Sequence, residues 1–194
     1  MNEVDVIIGL KPAPKETPFL EAFALTVLEH LGVKNWAMGV MLTDDKGIRE
    51  YSRRWRGVDA ATDVLSFVMI EGESPPRVPG TPLEAGDVVI SVQRVAEQAG
   101  RRGEMFETEL RRVLIHGILH LRGMDHPGDD YGGGMLRLQE ELVGSTGPLT
   151  GSPIGETAAP REELVGNTRP PAGCSNEFSR PGARGPAGEA DVEG

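Results

Sequence analysis

The chain has 194 residues, enough for one domain with a core of its own. Its formal net charge of −10 argues against a protein that coats nucleic acid through overall positive charge, and its single cysteine, Cys174, excludes an intramolecular disulfide. No apolar run approaches a membrane span and no basic start leads into a signal-peptide core, so the expected setting is cytoplasmic, with no membrane partner.

In chain order, DVIIGL (5–10) predicts a short buried strand. Thr17-Pro18 has the pattern of a helix start, an N-cap followed by proline at the first helical position. The helix runs through FLEAFALTVLEHLG and ends at Gly32. His30 lies in its last turn and reads as an ordinary terminal histidine favoured by the helix dipole. WAMGVML (36–42) predicts a second strand, and Thr43-Asp44-Asp45 caps a short helix through about Trp55. DVLSFVMI (63–70) is a third strand. EGESPPRVPGTPLEAG (71–86) holds four prolines and three glycines and predicts a surface loop, followed by a fourth strand, DVVIS (87–91). A helix over 92–99 is expected to stop near Gly100 and Gly103. A longer one over 104–122 has Phe106, Leu110, Val113, Leu114, Ile118 and Leu121 on its apolar side, and a short last helix covers 135–143. The order β-α-β-α-β-β-α-α-α predicts a small α+β domain with a mixed four-stranded sheet packed with helices.

The composition changes near residue 144. Up to that point the chain carries nearly all its aliphatic runs, with 16 Lys and Arg against 23 Asp and Glu. Residues 145–194 are rich in Gly, Pro, Ser, Thr and Ala and have neither Trp nor Tyr. Such a segment buries too little apolar area to offset its chain entropy, so the expected organisation is a folded domain over 1–144 and a disordered tail over 145–194. Positive charge is local: Arg49, Arg53, Arg54 and Arg56 form one cluster, and Arg101, Arg102, Arg111, Arg112 and Arg122 another. For a single arginine the default is a solvated helix face.

Chemistry concentrates in HGILHLRGMDH (116–126), which holds three of the four histidines. His116 and His120 are i and i+4 on one helix, so both imidazoles project from the same face. Gly123 falls where the helix must stop, and a glycine there can take a positive φ. His126 can then return to the same metal. Three neutral nitrogen donors with a fourth tetrahedral position open is the catalytic zinc pattern, and it predicts one Zn²⁺ per chain. Asp125, Asp129 and Asp130 follow at once, and one of them could orient a ligating histidine.

This stretch resembles the HGxLHLxGxDH signature of the YbeY family of bacterial endoribonucleases, the rRNA maturation factors. RWRGVDAATDVLSF (54–67) and GDVVIS (86–91) resemble further segments of that family, in the same order, across residues 1 to about 144. Trp55, Ala61, Val68 and Met124 depart from its usual residues, and none of these departures touches a candidate ligand. The resemblance implies a zincin-like α+β fold and zinc on His116, His120 and His126. It implies catalytic roles for His116 and for Arg56, the latter in RNA binding and cleavage. The implied activity is single-strand-specific cleavage of RNA in maturation of the 16S rRNA 3′ end and in ribosome quality control. Ribosomal particles or ribosomal proteins are the implied partners, and DNA is not expected.

The residue after His116 is Gly117, where a zinc protease carries its general base. Amide hydrolysis needs that carboxylate to protonate a poor leaving group. A phosphodiester has a better leaving group, and RNA brings its own nucleophile in the 2′-OH. What it needs is charge stabilisation at phosphate, which an arginine supplies. Gly117 therefore tilts the chemistry towards RNA and away from the alternative of a metallohydrolase of peptides or small molecules. A ribosome-associated binding factor with little intrinsic activity is the alternative from another class.

Overall fold

The computed structural model describes residues 1–69, 80–125 and 134–149. Four strands, β1 (Glu3–Ile8), β2 (Trp36–Thr43), β3 (Val64–Val68) and β4 (Leu83–Ser91), form one sheet in the order β1-β2-β4-β3. β1, β2 and β4 run parallel, while β3 is an antiparallel edge strand on β4, so the expected mixed four-stranded sheet is present. The helices are α1 (Leu20–His30), α2 (Asp45–Arg56), α3 (Val92–Arg102), α4 (Phe106–Leu121) and α5 (Gly134–Ser145), giving the α+β class read from the sequence.

Alternation along the strands assigns the helices to faces. Val88 and Ile90 join the main core with Val4, Met38, Val40 and Leu42, and α1 and α4 pack there. Val89, Leu65 and Phe67 point the other way and meet Ile48, Tyr51 and Trp55 of α2. Successive residues of a strand face opposite sides, so α2 and α4 cover opposite faces of the sheet. α4 is the central helix: Leu110, Leu114, Ile115, Ile118 and Leu119 are fully buried. The expectation of one apolar side was too narrow, because α4 packs on β3, β4, α1, α3 and α5 and is enclosed nearly all round.

Other differences have local causes. Thr17 does not cap a helix: a 3₁₀ turn, Thr17–Phe19, precedes α1 with Glu16 before it, and Thr17 Oγ1 is buried without a hydrogen-bond partner. Asp44 is a true N-cap, accepting from the Gly47 amide at 2.7 Å. β4 begins at Leu83 and not at Asp87, because parallel pairing with β2 from Trp36 onward recruits residues whose composition reads as loop. α3 runs through Gly100 to Arg102 and stops at Gly103, which has φ 66°. Ile70, the loop residues 71–79, His126, Asp129, Asp130 and residues 150–194 with Cys174 lie outside the described residues.

The last described residues still pack on the domain. The Arg111 guanidinium donates to the Val143 carbonyl and reaches Thr146 Oγ1, the Leu149 amide donates to Glu107, and the Leu149 side chain is buried. Burying one leucine contributes about 2 kcal/mol. A chain stopped after Gly144 is therefore expected to lose about that much in a urea melt, and one stopped after Leu149 to match the full-length protein.

Candidate metal centre

α4 owes its position to Gly117. A Cβ on that residue would stand 3.0 Å from Val88 Cγ2 and closer still to Cγ1, so only glycine lets the helix come this near β4. Ser66 of β3 uses the same approach, donating from its hydroxyl to the Gly117 carbonyl at 3.2 Å. Gly117 thus faces the sheet. The absence of a glutamate after His116 has a packing cause: a longer side chain here would be driven into Val88.

With Gly117 on the sheet, His116 and His120 emerge together, each half-buried. Their Nε2 atoms stand 3.0 Å apart. Two nitrogens bound to one zinc at about 2.0–2.1 Å and a tetrahedral angle would stand about 3.3 Å apart, so the pair is nearly in ligating position. The helix ends as its glycine requires: Gly123 has φ 81°, its amide bonds the His120 carbonyl at 2.9 Å, and the Met124 amide bonds that of Leu119 at 3.1 Å. This turns the chain back and packs Met124 on the main core. Among the described residues no cluster of three ligating side chains occurs, and His126 lies outside them. The two histidines that are described have the donor chemistry and spacing of a zinc site.

One partner of His116 comes from α5. Gln139, 6% exposed, places Oε1 2.8 Å from His116 Nδ1. Its Nε2 donates to Glu140 Oε1 at 2.9 Å, and the same oxygen accepts from Arg112 Nε at 2.9 Å. Arg112, its side chain 7% exposed, also bonds Glu104 at 2.7 Å and pairs with the buried Glu109. Burial alone would lower the Arg112 pKa, but hydrogen bonds to Glu104 and Glu140 and the charge of Glu109 outweigh it and hold the guanidinium above its ordinary value. The bond from Arg112 in turn holds the Glu104 carboxyl below its ordinary range.

Gln139 was missed in the sequence. The signal was present: on α5 the inward series Met135, Leu138, Gln139, Leu142 has helical spacing, and only one member is polar. Sequence proximity offers Asp125, Asp129 and Asp130 as alternatives for this role. Of those, Asp125 is described and exposed.

Arg56 is the last residue of α2 and is exposed. It starts from the opposite face of the sheet to the histidines, but α2 and α4 both pack on edge strand β3, α2 through Tyr51 and Trp55 against Phe67. Its cluster is partly committed. Arg49 pairs with Asp59 at 2.8 Å and Arg54 lies 5.3 Å from the centre of the Trp55 ring. The second cluster is mostly structural: Arg111 and Arg112 are buried, and Arg101 and Arg102 approach Glu97 and Glu109. His30, as expected, is a helix-end residue, with Nδ1 2.9 Å from the Thr26 carbonyl. No helix among the described residues is long and apolar enough to cross a membrane.

A paired-histidine helix packed on a mixed α+β sheet defines a candidate metallohydrolase domain. Comparison with known proteins narrows the class. The family model described as endoribonuclease YbeY matches residues 15–147. A Persephonella marina protein named endoribonuclease YbeY is 42% identical over 125 residues, which cover 64% of this chain and 79% of that one. One of the same name from Treponema denticola is 36% identical over 143 residues, 73% and 92% of the two chains. The solution structure of TM1509 from Thermotoga maritima superposes with a TM-score of 0.50 at 28% identity, covering 75% of this chain and 89% of that one. The chain belongs to the endoribonuclease YbeY family.

Gly117→Ala is expected to cost about 1–3 kcal/mol in a denaturant melt through overpacking against Val88. Gly117→Glu should fold worse still and show no peptidase activity, a result read from the same melt and a casein assay.

Proposed function

We propose that this chain is a zinc-dependent, single-strand-specific endoribonuclease of the cytoplasm. Its proposed work is in rRNA processing, at the 16S rRNA 3′ end, and in ribosome quality control. The observation that carries the metal part is the convergence of His116 and His120 through their Nε2 atoms, 3.0 Å apart, in a chain of this family. His116, His120 and His126 would hold the ion. When bound, zinc supplies a Lewis acid for a phosphoryl oxygen and lowers the pKa of water.

The protein's own groups do the rest. Position 117 faces Val88 and not the ligands, so no carboxylate from it stands beside a phosphodiester. The exposed guanidinium of Arg56 can take two phosphate oxygens through paired N–H donors. An RNA strand drawn past the edge of β3 would meet the basic end of α2 on one side and the histidines of α4 on the other, since both helices pack on that strand. The 2′-OH of the substrate and water are the two available nucleophiles. A net-acidic protein whose exposed arginines are interspersed with acids binds RNA weakly by itself. Ribosomal particles or ribosomal proteins are therefore the proposed source of added affinity.

The test is incubation of metal-quantified protein with end-labelled single-stranded RNA. Cleavage should disappear on chelation, return with zinc, and be absent in His120→Ala purified in the same way. Arg56→Ala should lose on the order of 100-fold in rate, as for removal of one charge-stabilising donor, and keep its zinc. A single 2′-deoxy substitution at the cut site separates the two nucleophiles: blocked cleavage there, with a 2′,3′-cyclic phosphate from the unsubstituted RNA, assigns attack to the 2′-OH, and unchanged cleavage assigns it to water. Cleavage that survives chelation, or persists in His120→Ala, would overturn the metal-dependent reading.

A further inference from the structure

The polarity of one hydrogen-bond chain determines which nitrogen of His116 carries its proton. Glu140 Oε1 already accepts from Arg112, and an ionised carboxylate offers only acceptors. The group of Gln139 beside it, at 2.9 Å, must therefore be the amide NH₂. That turns Gln139 Oε1 towards His116, at 2.8 Å from Nδ1. A carbonyl oxygen only accepts, so Nδ1 must donate, and the lone pair of the neutral ring is left on Nε2, the atom that meets His120. Arg112, Glu140, Gln139 and His116 thus form a chain with one direction, anchored at a buried guanidinium.

We propose that Gln139 is a positioning residue for the metal centre. It holds His116 in the Nδ1–H tautomer and fixes its ring plane, and Arg112 and Glu140 keep its amide from flipping. This rests on the reading of His116 as a metal ligand. Gln139 takes the place that a carboxylate, a backbone carbonyl or water commonly fills behind a ligating histidine, where removal typically costs 10–100-fold in metal affinity. Being neutral, it orients the ring without adding a negative charge behind the ligand.

The experiment compares the full chain with Gln139→Leu and Gln139→Glu, using zinc itself as the probe. Zinc affinity is measured by competition with a chromophoric chelator, and each metal-free protein is melted. Gln139→Leu is expected to bind zinc about 10–100-fold more weakly while still folding. Gln139→Glu restores an acceptor for Nδ1 and should recover affinity to near the unsubstituted value, at some loss of stability from the adjoining Glu140. Independently, ¹⁵N NMR of the metal-free, unsubstituted protein should show His116 with its proton on Nδ1. This reading survives even if Gln139→Leu does not fold. Zinc affinity unmoved in a folded Gln139→Leu, Gln139→Glu as weak as the leucine variant, or a proton found on Nε2 of His116 would each overturn the proposal. If the unsubstituted protein binds no zinc, the metal reading fails together with it. If that protein binds zinc and only the Gln139 comparison fails, the metal reading stands.

Discussion

The contact between Gly117 and Val88 governs the geometry around it. Helices pack on sheets at a distance set by the side chains between them, and the missing Cβ at residue 117 removes one of those spacers. Once the backbone of α4 lies against β4, the helix has little freedom to rotate. Leu114, Ile118 and Leu121 are committed to the core, and the Gly117 carbonyl is taken by Ser66. The imidazoles at 116 and 120 then emerge together, within reach of Gln139 on α5. A histidine pair on an ordinary surface helix would have the same spacing without the fixed direction.

The second organising feature is the charge cluster at Arg112. One guanidinium joins Glu104 ahead of α4, Glu109 in its first turn and Glu140 on α5. Taking such a group from water costs several kcal/mol, and breaking a buried pair typically costs 3–5 kcal/mol. Its worth lies in specificity: few relative placements of α4 and α5 let three acids meet one fork of donors. Because Glu140 also bonds Gln139, the cluster that docks α5 bears on the orientation of a candidate ligand about two side chains away.

Positive charge is divided by tertiary structure into two uses. In the stretch from 101 to 122 most of the arginines are spent on the fold, either buried or facing acids. In the stretch from 49 to 56 all four arginines are exposed, with Arg49 paired to Asp59 and Arg53, Arg54 and Arg56 at the end of α2. The local charge that phosphate contacts require is therefore narrower than the count of arginines suggests. Overall acidity and a small basic edge are compatible when binding relies on a few oriented donors.

Much of the architecture was legible in the sequence because it follows from short-range rules. Alternation and helical periodicity gave the nine main elements in order, Asp44 and Gly123 marked a helix start and a helix stop by their own chemistry, and i, i+4 spacing brought His116 and His120 to one face. What depended on distant partners was not legible. β4 starts at Leu83 because β2 pairs with it, Arg112 is interior because Glu140 of α5 joins Glu104 and Glu109 around it, and Leu149 belongs with the domain through Glu107. The meaning of Gly117 changed for the same reason: spacing identified it as a missing base, and only Val88, on another element, shows it to be a contact surface. Gln139 is the clearest case. Its polarity on an apolar helix face could be seen in the sequence, but its partner 23 residues away could not, because the helix-to-helix packing that brings the two together is not encoded in any local pattern.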